Sequence, residues 1–246
     1  MEAAEYGLMA DAEERMWWYR GLHAHLVAWT GVTRPGPALR LLDAGCGTGG
    51  VLRRLRAEAR RDLIAVGLDF DAGACRHTAA KADAGVVGGS IDRLPFADAS
   101  FDLVLSADVL CQREVEEGRA LAEFARCLAP DGRLLLNLPA YEWLFGAHDR
   151  HVHNARRYTR SVIAARLADV GLRVLRATHW NTLPFPLMVV RRKLMPDDGA
   201  SDVKPYPPPV EAVFGCAMAI ERAAIGAGLD LPFGGSVLVE ATHVRH

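Results

Sequence analysis

Apolar residues recur along this chain in two rhythms. Short, nearly continuous apolar runs, ALRLLD (residues 38–43), LIAVGLD (63–69), GVVGG (85–89), FDLVLS (101–106) and GRLLLNLP (132–139), read as strands buried on both faces. Between them VLRRLRAEAR (51–60), the stretch around ACRHTAAKA (74–82) and VEEGRALAEFARCLA (115–129) repeat their apolar positions at helical spacing. Strand and helix in alternation predict a parallel sheet with helices on both faces. A helix from Thr159 to Val170, a strand LRVLRATHW (172–180) and a last strand GSVLVEATHV (235–244) complete the series.

Two segments stand outside the alternation. Residues 5–30 read as one helix, with Leu22, Leu26 and Trp29 at helical spacing, ended by the Gly and Pro of TGVTRPGP. Between the last two strands lie the apolar stretch LPFPLMVVRRKL with a basic end, a polar Pro-rich loop from Met195 to Pro209 and a largely apolar helix from about Val210 to Gly228. The expected organisation is one domain over 1–246: a helical cap (1–34), a core (35–182), a helical insertion (183–233) and a final strand (234–246).

The turn after the first strand, LLDAGCGTGG (41–50), carries the candidate chemistry. Its glycines spell G-x-G-x-x-G, and an acid stands at Asp69 at the end of the second strand, so a dinucleotide and S-adenosylmethionine (SAM) both satisfy this much. Asp43 separates them. A carboxylate at the tip of the first strand repels a pyrophosphate and attracts the ammonium and sulfonium of SAM. With VGLDFD (66–71), LPFADASFDLVLSADVL (94–110) and LAEFARCLAPDGRLLLNLP (121–139), the run resembles the successive cofactor motifs of class I SAM-dependent methyltransferases over about residues 39–140.

That resemblance implies an α/β, Rossmann-like seven-stranded sheet, mostly parallel with the last strand antiparallel. It implies SAM as methyl donor and S-adenosylhomocysteine (SAH) as product. Asp43 is expected to order the methionine end, Gly45, Cys46 and Gly47 to offer backbone contacts, Asp69 to accept both ribose hydroxyls and Phe70 to lie against adenine. Ser90 and Ile91 occupy the adenine-contacting stretch, Ser90 standing where many relatives carry Asp, and Ser106 on the fourth strand joins the cofactor set. Val109, Leu110, Cys111 and Gln112 replace the V-L-E-H of relatives, which removes a base from that place.

The flanks resemble a bacterial methyltransferase subgroup through MWWYRG (16–21), the H-D...R-R-Y-T pattern within 141–160, and LDLPFGGSVLVEATH (229–243). Where that subgroup has His, this chain has Met16 and Asn154. The aromatics of the first helix admit two readings: packing against the sheet edge, or a lid over SAM in which Tyr19 or Arg20 meets the carboxylate. His148 is the first choice for a general base, with Asp149 to orient it and Tyr141 nearby, because imidazole titrates near neutrality. The histidines at 148, 151 and 153 also admit plain loop hydrogen bonding or metal ligation, and no metal is expected. Arg156 and Arg157 either pair with an acidic substrate or with Asp149 and Glu142. Tyr158, Trp180 and Asn181 are candidate acceptor walls.

Composition narrows the partners. Lys and Arg number 29 against 30 Asp and Glu, a net charge of −1, so nucleic acid is not an expected partner. Five scattered cysteines without a C-x-x-C pair suit a reducing compartment, and no leader or membrane span is read at the N-terminus. The expected protein is cytoplasmic, a monomer or homodimer, methylating a small or lipid-like acceptor on O, N or C. VVRRKL beside apolar residues also permits peripheral membrane attachment. The competing readings are a non-catalytic SAM-binding protein and a nicotinamide-dependent oxidoreductase.

Overall fold

Seven strands among the described residues form one sheet in the order β3-β2-β1-β4-β5-β7-β6. They are β1 (Leu39–Ala44), β2 (Leu63–Asp69), β3 (Gly85–Gly88), β4 (Phe101–Ala107), β5 (Leu128–Pro139), β6 (Leu172–Trp180) and β7 (Ser236–His243). The computed structural model describes residues 3–194 and 206–244. Strands β1 to β5 pair in parallel, and β7 runs antiparallel to both β5 and β6.

Successive side chains of the central strands point to opposite faces and feed two cores. Leu41, Leu103, Leu105 and Leu135 pack with helices α2 (Trp17–Thr30), α3 (Gly50–Glu58) and α9 (Pro208–Gly226). Leu42, Val104, Leu134 and Leu136 pack with α5 (Glu117–Cys127) and α7 (Arg160–Asp169). The remaining helices are α1 (Ala3–Ala12), α4 (Ala72–Lys81), α6 (Ala147–His151) and α8 (Phe185–Leu194), with a short 3-10 turn at Glu142–Leu144. Asp71 and Thr159 start α4 and α7 by accepting the backbone N–H of Ala74 and Val162, which satisfies a donor the first turn of each helix would leave unpaired.

The single helix expected over 5–30 is two. It breaks across residues 13–16, where Met16 is extended (φ −71°, ψ 128°). Two tertiary bonds reward the break. The carboxylate of Glu211 on α9 accepts the N–H of Trp17 at 2.6 Å, capping α2 from outside, and Glu13 turns to an ion pair with Lys81 on α4.

After β6 the chain forms α8 and α9. The backbone N–H of Leu183 donates to Glu221 on α9, and Arg191 near the end of α8 donates to Tyr206 just before α9, so the two helices run antiparallel. Residues 195–205 of the expected polar loop lie outside the described residues. No helix among the described residues is long and apolar enough to cross a membrane.

Between β1 and β4 the strand order reverses direction, β2 and β3 lying to one side and β5 to the other. In an open sheet this leaves a crevice at the C-terminal strand ends.

Candidate active site

The crevice is a cavity of about 1120 Å³, bounded by the ends of β1, β2, β4 and β5 and by residues of α1, α2, α8 and α9. Its floor is the glycine turn. The N–H groups of Gly45 and Cys46 both donate to Leu68 O, Thr78 Oγ1 donates to Gly47 O, and Gly47 N–H donates to Asp69 Oδ2 at 2.9 Å. Gly45 has φ +90°, and a Cβ there would lie 2.2 Å from Val109 Cγ2. Conformation and contact each require glycine.

One end of the cavity is acidic. Asp43 is buried, and its Oδ2 has no hydrogen-bond partner among the described residues. Burial, with the carboxylates of Asp69 and Glu13 close by, raises its pKa to about 7. Asp69 is buried beside it, with Oδ2 on Gly47 N–H and Oδ1 on Asp71 N–H at 3.0 Å. An unmet buried carboxylate among like charges calls for a cation. The ammonium and sulfonium of SAM meet that demand and a pyrophosphate does not, so the residues present fit SAM. Phe70, Ser90 and Ile91 line the wall beyond Asp69, Phe70 standing 86% exposed. Cys46 lines the floor, but its thiol turns to Thr78 Oγ1, and burial pushes it far from ionisation. His23, also on the wall, is kept neutral, its pKa lowered to about 3 by burial and by Arg54, Lys81 and Arg53.

A buried chain of polar groups crosses the middle. Trp180 Nε1 donates to Asn137 Oδ1 at 2.7 Å, and Asn137 Nδ2 donates to Asp108 Oδ2 at 2.7 Å. Asp108 lines the cavity, and burial raises its pKa to about 7 against the opposing pull of Asn137 and Arg157. Asp108 (φ 56°), Tyr141 (φ 61°), His153 (φ 60°) and Asn181 (φ 60°) all adopt left-handed backbone at or after the same strand ends. Such conformations are costly and persist where the surrounding structure holds them.

The far end is basic. His148, Arg157, Arg191 and Arg192 line it. Asp149 is wholly buried behind them, accepting Arg157 Nε at 2.9 Å, Arg192 Nη1 at 3.1 Å, Asn154 Nδ2 at 3.1 Å and the Gly146 N–H at 2.9 Å. Burial alone would raise its pKa, yet Arg157, Asn154 and Arg192 hold it below the ordinary range. Asn154 Oδ1 in turn accepts Gln112 Nε2 at 2.9 Å. Asn154 and Gln112, two positions where the chain departs from its relatives, are thus bonded to each other.

Four expected site residues stand elsewhere. Arg20 is exposed and does not line the cavity; its carbonyl accepts from Arg54. Ser106 is buried beneath the floor, where its hydroxyl donates to Ala44 O and ties β4 to β1. Tyr141 stacks on His179, with centroids 5.4 Å apart, and also contacts Trp143 and Phe185, outside the cavity lining. Asp149 does not reach the cavity lining either: instead of orienting a base, it anchors two guanidiniums that do. Tyr19 lines the cavity wall, whereas Trp180 lies fully buried, against Trp18 and His25. Glu13, His23, Asp108 and Arg192 were not singled out as site residues. Only the adjacency of Asp108 to the fourth strand gave a signal. Among the described residues no three His, Cys, Asp or Glu side chains converge as a metal site requires.

Residues 42–136 match the family model Methyltransf_11, described as a methyltransferase domain. A probable S-adenosylmethionine-dependent methyltransferase of Mycolicibacterium smegmatis is 30% identical over 160 residues, 65% of this chain and 58% of that one. The malonyl-[acyl-carrier protein] O-methyltransferase of Erwinia pyrifoliae is 39% identical over 105 residues, 42% of this chain and 38% of its own. The matched stretches span less than two thirds of the length of these curated relatives. The putative methyltransferase of Haloferax volcanii, solved in complex with the Trm112 activator, superposes with a TM-score of 0.63 at 20% identity, over 99% of this chain and 95% of that one, and so shares the fold. Over residues 42–136 the chain matches the methyltransferase-domain family, and the cofactor motifs, the strand order and these relatives agree with a class I SAM-dependent methyltransferase.

Proposed function

We propose that the protein transfers a methyl group from SAM to a small or lipid-like acceptor. The observation that carries this is the buried, unpartnered Oδ2 of Asp43 beside Asp69 on a glycine floor, a setting built for a cation. SAM supplies a methyl group on positively charged sulfur. Asp43 holds the ammonium end, Asp69 the ribose, and Phe70, Ser90 and Ile91 the adenine. The backbone of Gly45, Cys46 and Gly47 approaches the cofactor closely because the turn carries no bulky side chain. Helices α1 and α2 and the turn between them cover this end through Met9, Tyr19 and Glu13.

His148, at the acceptor end, takes the proton that an O, N or C nucleophile must lose. Asp149 positions the wall around it through Arg157 and Arg192. Tyr206, Phe214, Leu187 and Met188 give the acceptor an apolar chamber.

The test has two parts. Titration calorimetry should show SAM and SAH binding to the purified protein and loss of both in Asp69→Ala and Gly45→Asp; full affinity in those variants would remove the site assignment. Incubation with deuteromethyl SAM and a cell extract, followed by mass spectrometry, should yield a metabolite carrying a trideuterated methyl group. Binding without transfer to any pool identifies a SAM-binding protein instead.

A further inference from the structure

The ionisable residues lining the cavity are sorted by sign along its length. Glu13, Asp43, Asp69 and Asp71 gather where β1 and β2 end, and His148, Arg157, Arg191 and Arg192 gather beyond the end of β5. Among the described residues two acids interrupt the pattern: Asp108 at the middle, bonded to Asn137, and Glu114 on the rim, 3.7 Å from His153. The cationic sulfur donor suits the acidic end, and the basic end suits a group of the opposite sign.

The basic end is a constructed feature. Arg157 is 7% exposed, and its guanidinium is fixed by Asp149 and by the Ala140 carbonyl at 2.9 Å. Arg192 is fixed by the same carboxylate and by Leu144 O. Asp149 lies outside the lining, so one buried carboxylate backs two arginines that line the cavity. Fixing two long cations costs conformational entropy and desolvation, and a bound anion returns both. Apolar side chains, Trp17, Leu187, Met188 and Phe214, line the cavity together with the polar middle around Asp108.

We infer that the acceptor is an amphiphile, an apolar body carrying an anionic group, with the anion seated at Arg157 and Arg192. This rests on the methyl-transfer reading and names the class of molecule that reading leaves open. A carboxylate and a phosphate share the required chemistry. An acceptor so held extends its apolar body toward the acidic end, where the donor lies, and sets its nucleophile between His148 and the donor.

Four probes of one chain length test it on the full chain: dodecanoate, dodecyl phosphate, dodecanol and dodecyltrimethylammonium, each below its micellar concentration, read by displacement of a fluorescent fatty acid. One or both anions should bind about tenfold or more tighter than the alcohol, the yield of one buried charge-assisted bond, and the ammonium should bind weakest. The stronger of the two anions distinguishes a carboxylate source from a phosphate source. Arg192→Gln should bring anion and alcohol within about threefold of each other. Because that change also frees Asp149, Arg191→Gln serves as a second variant, with a smaller loss of the same sign. Equal affinity for all four probes, or an undiminished anion preference in both folded variants, overturns the inference. SAH titrated into the same samples separates the failures: anion preference without SAH binding defeats the cofactor reading, and SAH binding without anion preference defeats this one.

Discussion

Asn137 Nδ2 lies 2.7 Å from Oδ2 of Asp108 and donates to it, in the same buried plane where Asn137 Oδ1 accepts the Trp180 indole. One amide thereby fixes a cavity carboxylate to the largest fully buried side chain of the opposite core. Replacing it with Leu leaves a carboxylate and an indole N–H buried without partners. Urea unfolding of Asn137→Leu should show a loss of about 2–5 kcal/mol; a loss below about 1 kcal/mol would show that water replaces the amide.

The protonation of Asp43 should govern cofactor affinity. Burial and the neighbouring Asp69 and Glu13 carboxylates raise its pKa from 3.8 to about 7, so without ligand it holds a proton through mildly acidic pH. A cation favours the ionised form and lowers that pKa on binding. Affinity for SAM and SAH should therefore rise as pH climbs from about 5.5 to 7.5, by at most about tenfold per unit, and level off above. Asp43→Asn should bind weakly with a flat profile, and a wild-type profile flat over this range would place the proton elsewhere.

Gly45→Ala sets a Cβ into Val109 at a backbone φ of +90°. We expect about 1–3 kcal/mol of destabilisation together with loss of SAH binding. Adding Val109→Ala should restore part of the stability, because it removes the overlap, and little of the binding, because the left-handed turn stays strained.

His148 and Asp149 are neighbours in sequence with separable roles. Asp149→Asn leaves Arg157 and Arg192 without their carboxylate and should cost about 3–5 kcal/mol. His148→Ala should keep stability and SAH affinity near wild type while transfer of labelled methyl falls about 10²- to 10⁴-fold. Equal loss of transfer and SAH affinity in His148→Ala would make it a cofactor residue rather than a base.

The contrast between these residues shows what a sequence displays. The central strands were legible as apolar runs because both faces are buried, and Asp43, Gly45 and Asp69 were legible because one turn and the next strand end hold them in fixed order. The basic end was not. Arg192 meets Asp149 from 43 residues away, and Glu211 caps Trp17 across 194. Such pairs depend on how α8 and α9 fold back, which no local pattern encodes. Tyr141 misled for a different reason: it follows β5 directly, but a left-handed turn at φ 61° sends its ring to His179 instead of into the cavity. The break within residues 5–30 was invisible because the groups that cap α2 and engage Glu13 come from α9 and α4.

The placing of β7 between β5 and β6 bears on biosynthesis. Strand β6 joins the sheet only through β7, from Leu172 opposite His243 to Trp180 opposite Ser236. During translation β6 therefore emerges without its partner and waits, its hydrogen-bonding edges unpaired, until α8, α9 and β7 have followed. The glycine floor of the cavity lies on strands made earlier and the wall from α8 and α9 on segments made later, so on the proposed reading the donor and acceptor parts of the site come from different stages of synthesis.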